Sequence, residues 1–305
     1  MMLVTGASGL LGSNFVFAAA ERGQALVACH GRHAIRLPCA GNVALDLLDE
    51  AATRRLFDSI RPACIVHCAA AADVDWCESN PEAAYQINAE APRRLALIAS
   101  ELGALLVLIS TDSVFDGQRG SYDEAQEPTP VNVYGRTKLA AEAFVAAGAP
   151  ANLVIRTNFI GWSPGGRRGL AEWILSRLES GLPVPAFFDI RFSPLHATDL
   201  AHIVLDMIAA GLRGLYHVAA SDSCTKYEFA MKLAQSFDFD PARIQRSSIG
   251  AAGLRAERPR DTSLQTHKIA RDLDKPMPLV GFGIERLRAQ LDVGYRDRLR
   301  ETTGE

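Results

Sequence analysis

Met2-Leu3-Val4-Thr5-Gly6-Ala7-Ser8-Gly9-Leu10-Leu11-Gly12 is the stretch whose reading decides the fold. Its first four residues form a short apolar run of strand character, and the pattern from Leu11 to Arg22 has the apolar spacing of a helix. Three glycines between them supply a tight turn and a backbone bare enough to approach a pyrophosphate. The helix N-terminus adds free N–H groups and the positive end of a dipole. A strand, a glycine turn and a helix in that order read as a dinucleotide cradle built by Gly6, Ser8, Gly9, Leu10, Leu11 and Gly12. The spacing Gly-x-x-Gly-x-x-Gly differs from the Gly-x-Gly-x-x-Gly of long-chain dehydrogenases, so the context on both sides carries the reading.

Working outward, short apolar runs alternate with helical patterns. Strands are expected at 25–29, 43–45, 64–68, 105–109 and 153–155, and helices at 50–60, 81–102 and 133–147. Such alternation gives βαβ units and an α/β, Rossmann-type doubly wound parallel sheet, with ligands at the carboxyl ends of its strands. After Gly161 the texture changes: 162–169 is rich in Gly, Pro and Arg, a helix follows, and 182–188 is interrupted by prolines. Asp199 is expected to cap a helix running to Ala209, and 215–219 reads as a returning buried strand. Residues 1–160 and 194–220 are therefore assigned to the dinucleotide-binding domain. Residues 161–193 and 221–305 are assigned to a smaller, mainly helical substrate domain placed over the strand ends.

Composition narrows the class of function. The 305 residues are 48% hydrophobic and 22% charged with a net charge of -3, enough for a large core and no general attraction to nucleic acid or an anionic membrane. No basic leader precedes the first strand and no later run is long and uncharged enough to span a bilayer, so the expected location is the cytoplasm. The six cysteines show no Cys-x-x-Cys spacing and are read as reduced and structural. No His, Cys and carboxylate cluster has metal-ligand spacing, so no metal is expected.

The end of the second strand selects between dinucleotides. An NAD enzyme places a carboxylate there for the ribose hydroxyls, yet no acidic residue occurs between Glu21 and Asp46. Gly31, Arg32, His33 and Arg36 follow instead, offering cations to a 2′-phosphate. The reading is NADP, with NAD left open, since Arg32 and Arg36 are equally at home as solvated loop residues. Asp46, with Leu47 beside it, either lies near the adenine or caps a turn. Cys68, Ala69, Ala70 and Ala71 follow the fourth strand, where small side chains let the backbone approach a cofactor.

Ser110-Thr111-Asp112 stands at the end of the fifth strand, and Tyr134-Gly135-Arg136-Thr137-Lys138 follows some twenty residues later. Tyr134 and Lys138, four apart on a helix, leave the same face. A free phenol titrates near pH 10 and needs a nearby cation to serve as an acid–base group at neutral pH. Lys138 can supply that cation while holding a ribose, and Thr111 can hold a carbonyl oxygen. Tyr-x-x-x-Lys is common by chance; its place after a nucleotide turn and a hydroxyl-bearing strand end gives it weight.

The runs Ser110-Thr111-Asp112-Ser113-Val114-Phe115-Asp116-Gly117 and Pro130-Val131-Asn132-Val133-Tyr134-Gly135-Arg136-Thr137-Lys138 resemble the signature of the dTDP-4-dehydrorhamnose reductase family, of the extended short-chain dehydrogenase type. The resemblance extends to Gly6, Gly9 and Gly12, to Val66-His67-Cys68-Ala69-Ala70, to Asn88, to Arg156-Thr157 and to Arg258-Pro259, nearly the whole chain. It implies reduction of the ketone of a nucleotide-activated deoxysugar by NADPH, as in dTDP-rhamnose biosynthesis. In that chemistry Tyr134 protonates the nascent alkoxide, Thr111 polarises the ketone and Lys138 tunes Tyr134. Asn88 would join the cofactor set, and the expected assembly is a monomer or homodimer.

Departures from the family pattern limit the substrate. Ser113 stands where the family often has Tyr or Leu, and 189–196 looks more like the regulatory β subunit of methionine adenosyltransferase. A non-catalytic NADP-binding subunit therefore stays open, as does a sugar-nucleotide epimerase. A dehydratase is disfavoured because those relatives carry Glu where this chain has Ser113. Ser110, Asp112, Ser113, Asn158, Trp162, Arg191 and Arg258 are the substrate-facing candidates. Of these, Trp162 either stacks on a ring or packs in the core. Arg191 and Arg258, with His196 and Arg260, either meet a diphosphate or sit in surface ion pairs. His67 reads as a packed histidine.

Overall fold

The computed structural model describes residues 1–148, 151–166 and 169–303. In chain order the first half comprises β1 (Met2–Thr5), α1 (Leu10–Glu21), β2 (Leu26–His30), β3 (Gly41–Ala44), α2 (Glu50–Ile60), β4 (Cys64–His67), α3 (Val74–Ser79), α4 (Pro81–Tyr85), α5 (Ala91–Leu102), β5 (Leu105–Ile109) and α6 (Val133–Gly148). The second half holds β6 (Leu153–Arg156), β7 (Phe159–Ile160), α7 (Leu170–Glu179), β8 (Val184–Phe187), β9 (Arg191–Phe192), β10 (Leu195–His196), α8 (Ala197–Ala209) and β11 (Gly214–His217). It ends with β12 (Cys224–Thr225), α9 (Lys226–Ser236), β13 (Ile244–Ser247), α10 (His267–Asp272), α11 (Val280–Asp292) and α12 (Tyr295–Glu301).

Seven strands form one parallel sheet in the order β11-β6-β5-β4-β1-β2-β3, the doubly wound arrangement expected. Its inner strands read as near-continuous apolar runs because both faces are covered, whereas the edge strand β3 alternates between half-buried and exposed residues. Successive residues serve opposite cores: Leu3, Ile65, Leu106 and Leu108 pack under α2, α5 and α6 with Phe57, Leu95 and Val145, while Val4, Val66, Val107 and Ile109 pack under α1 and α8 with Phe15, Leu200 and Val204. A third core, built by Trp162, Leu175, Phe192, Phe229, Leu233 and Leu287, lies outside the sheet. Three short two-stranded pairs, β7–β10, β9–β12 and β8–β13, frame it.

Several boundaries move for definable reasons. The helix expected over 81–102 is broken by a wide turn at Gln86–Glu90, where the N–H of Ala91 reaches back five residues to Gln86 O. Pro92 follows with no N–H to continue a regular ladder, and such widened turns often serve a site. The helix assigned to an Asp199 cap begins three residues earlier, at Ala197. His196 is the cap, its Nδ1 accepting from Thr198 N at 3.2 Å. Asp199 then stands in the first turn, where it pairs with Arg286 at 3.0 Å. Among the described residues no helix is long and apolar enough to cross a membrane, and all six cysteines are free.

Candidate active site

The glycine turn forms at the end of β1. Gly6 has φ +68°, and a Cβ there would lie 2.5 Å from Ala69 N, so only glycine lets the β1 and β4 ends close together. Gly9 N donates to Gly6 O at 2.9 Å, and Gly9 is the N-cap of α1 with no side chain in the way. The first-turn N–H groups of Leu10, Leu11 and Gly12 therefore have no partner earlier in the helix. Leu10 and Leu11 bury their side chains in the core, so only their backbone is available to an anion.

This turn opens into a cavity of about 710 Å³ along the strand ends. Of the expected cofactor residues, Gly6, Ser8, Arg32, Asp46, Leu47, Ala69, Ala70 and Ala71 line it. Asp46 also makes the turn that was its alternative, its Oδ1 accepting from Leu48 N at 2.9 Å. Asn88 is a correction: it is fully buried and grips Ala71 through both amide atoms, accepting from Ala71 N at 2.8 Å and donating to Ala71 O at 3.0 Å. It shapes the loop after β4 rather than facing the cavity. His30 and Trp76 are among the lining residues that escaped the sequence reading. His30 belongs to β2, which runs one residue beyond the expected end, and its Nδ1 lies 3.0 Å from Gly31 O. Trp76 comes from α3, a short helix whose six residues give too little periodicity to read.

The second part of the site gathers on the end of β5. Asn132 opens α6, its Oδ1 accepting from Gly135 N at 2.9 Å. Gly135 then presses on the β5 turn so closely that a Cβ would lie 2.3 Å from Ser113 O. That contact sets Tyr134 beside Thr111, whose hydroxyl acts on the titration of the phenol. Lys138 is buried below them and donates from Nζ to Ile109 O at 2.7 Å. Burial pushes the Tyr134 phenol up to about 12, with the negative charge of Asp112 adding to it and the Thr111 hydroxyl opposing it. Burial also brings Lys138 down to about 8, against the pull of Glu142 and Cys68. Both groups thus carry their protons at neutral pH.

Asp112 ties the site together. Thr111 Oγ1 and Ser113 Oγ each donate to its Oδ1 at 3.2 Å, while Asn158 Nδ2 at 3.0 Å and Thr262 Oγ1 at 2.6 Å donate to Oδ2. Burial raises its carboxyl above the ordinary range despite these four donors. It is a positioning residue with its oxygens already engaged, which corrects the reading of Asp112 and Asn158 as free substrate ligands.

Packing corrects the reading of Ser110 and, for Trp162, Arg191 and Arg258, selects the core or ion-pair alternative. Ser110 points the other way along β5 and donates to Glu142, which forms a buried ion pair with Arg156, 2.7 Å at Nη2. Trp162 is 2% exposed in the third core, its indole N–H donating to Leu287 O at 3.1 Å. Arg191 is engaged with Ser223 O at 3.2 Å and with Glu228 at 3.6 Å. Arg258 pairs with Asp75 of α3 at 3.0 Å, clasping the C-terminal segment to the sheet domain. His196 is buried as a cap and Arg260 is exposed. His67 is packed, with Thr5 Oγ1 2.8 Å from its Nδ1.

A doubly wound sheet with a glycine turn after β1, a threonine at the end of β5 and a tyrosine–lysine pair on the next helix defines an extended short-chain dehydrogenase/reductase. The profile of the RmlD substrate binding domain family matches residues 1–291, and the chain belongs to that family. It is 33% identical over 290 residues to a probable low-salt glycan biosynthesis reductase of Haloferax volcanii, covering 94% of this chain and 96% of the relative. It is 32% identical over 262 residues to the methionine adenosyltransferase 2 subunit beta of Xenopus laevis, covering 80% and 74%. The crystal structure of dTDP-4-dehydrorhamnose reductase from Bacillus anthracis in complex with NADP superposes with a TM-score of 0.84 at 28% identity, covering 95% of this chain and 98% of that one.

Proposed function

We propose that the protein reduces the keto group of a nucleotide-activated deoxysugar, using NADPH in preference to NADH. The observation that carries this reading is the convergence of Thr111, Tyr134 and Lys138 on the end of one strand, beside a glycine turn shaped for a dinucleotide. A Cβ at Gly6 would force the ends of β1 and β4 apart, and the first-turn N–H groups of α1 suit a pyrophosphate. Arg32 and His33 flank the cavity where an acid would repel a 2′-phosphate. The relatives support the same class, because a reductase and an NADP complex stand among them.

When bound, the reduced nicotinamide supplies the hydride; the chain supplies the rest. Thr111 turns its hydroxyl from Asp112 to the ketone oxygen, which it then holds together with Tyr134. Tyr134, protonated at neutral pH, gives up its proton as negative charge develops there, and Lys138 steadies the resulting phenolate. The third core, distinct from the two that cover the sheet, supports reading residues 161–193 and 221–305 as the part that covers the substrate.

The test follows nicotinamide absorbance with NADPH or NADH and a dTDP-4-keto-6-deoxy sugar, in the native protein and in Arg32→Ser. Consumption that prefers NADPH, with a KM for NADPH raised ~10–100-fold in the variant and that for NADH little changed, is the expected result. NADPH binding without consumption of any keto sugar nucleotide would overturn the catalytic reading and favour a cofactor-binding subunit.

A further inference from the structure

Lys226 begins α9, and its backbone is fixed from several sides. Thr225 pairs with Arg191 in the β9–β12 ladder, Lys226 N donates to Ile190 O at 2.9 Å, and Thr225 and Glu228 cap the helix reciprocally. The same strand continues to the reacting centre: Thr262 N donates to Arg191 O at 3.0 Å, and Thr262 Oγ1 donates to Asp112. This short chain of hydrogen bonds holds Lys226 over the turn that carries Thr111.

The charges its ammonium feels are those of Asp112 and Arg258. Asp112 attracts it without a hydrogen bond and Arg258 repels it. Asp112 already accepts four hydrogen bonds, and Arg258 is a like charge paired with Asp75. Among the described residues no hydrogen bond or ion pair engages the Lys226 side chain, which is only partly exposed. With no partner inside the described chain, its three donors can take an anionic oxygen from outside without giving up an existing bond. The cofactor's pyrophosphate belongs at the other end of the site, at the turn after β1, two strands from β5.

We propose that Lys226 is a substrate-recognition residue that receives the diphosphate of the sugar nucleotide, one sugar ring away from the ketone held by Thr111 and Tyr134. The inference rests on the reductase reading above and adds the residue that distinguishes a nucleotide-linked sugar from a free one.

The probe is thymidine diphosphate, whose binding needs no turnover, with inorganic pyrophosphate as competitor and NADPH affinity measured in parallel. Lys226→Met is expected to weaken thymidine diphosphate binding ~10–100-fold, the scale of a lost charge-assisted contact. NADPH affinity should stay within about twofold, and Tm should hold or rise, because the variant removes an unpaired ammonium. Lys226→Arg should keep binding within about fivefold. The inference is overturned if native protein fails to bind thymidine diphosphate, or if Lys226→Met binds it as tightly as native protein. A drop in Tm with unchanged binding would assign Lys226 to packing instead. Loss of NADPH affinity in native protein would sink the reductase reading alone, since thymidine diphosphate binding is read separately.

Discussion

Tyr134→Phe is expected to lower kcat by ~10³, within the ~10²–10⁴ that positioned acid catalysis supplies, while NADPH affinity stays within about threefold and Tm within a few degrees. The change removes one oxygen and keeps the aromatic ring. Among the described residues at the β5 end, Asp112 is fully engaged and Lys138 is bonded to Ile109 O, which leaves the phenol as the proposed proton donor to an oxygen lying against Thr111. The pH profile separates the two partners. Tyr134, pushed up to about 12, stays protonated across the accessible range. Lys138, brought down to about 8, loses its charge as pH rises through that value. Reductive kcat/KM should therefore be level near pH 7 and fall above about pH 8, and that falling limb should vanish in Lys138→Met. A native profile that stays flat from pH 7 to 9 would detach Lys138 from the mechanism.

How much of this was legible in the sequence depends on whether a residue's role is local or long-range. The glycine turn, the alternation of strands and helices, and the four-residue offset of Tyr134 and Lys138 are local patterns, and each appears in the structure where the chain places it. Side-chain direction at a strand end is not local in that sense. Ser110, next to Thr111, turns to Glu142 because α6 buries that acid beside Arg156, a choice made by residues more than thirty positions away. Asn88 shows the same limit: it reaches Ala71 only because the widened turn at Gln86–Glu90 rotates it there. Trp162, Arg191 and Arg258 were readable as polar or aromatic residues in the right segments. Their partners Leu287, Glu228 and Asp75 come from other elements and settle where each side chain goes. Lys226 lay in plain view, but only the Arg191–Thr262–Asp112 connection makes its position meaningful.

Acidification should unfold this protein early, with most of the loss lying between pH 6.5 and 4. His67, His196 and His217 are buried in the neutral form, each brought by burial to about 3 from an ordinary 6.5. Positive neighbours deepen the effect: Lys138 beside His67, Arg286 beside His196 and Arg156 beside His217. The sign follows from proton counting. Below about pH 6.5 the unfolded chain binds a proton at each imidazole that the folded chain refuses, so their contribution is whole above 6.5 and is lost as pH falls toward 3. Each group contributes a slope approaching ~1.4 kcal/mol per pH unit, and the three together ~4. Against a typical ~5–15 kcal/mol of total stability, that slope exhausts the fold between about pH 5 and about pH 3. Asp112 opposes it, because its raised carboxyl takes up a proton more readily folded than unfolded, but it is one group against three. The check is Tm by circular dichroism from pH 8 to 4.5, with His217→Gln as the comparison. His217 holds its Nδ1 3.0 Å from Tyr122 O and leaves Nε2 without a partner, so the amide forfeits little hydrogen bonding. The variant should show about two thirds of the native dependence of stability on pH. A native Tm that is level from pH 7 to 5 would mean that the three imidazoles reach water and their protons in the folded state.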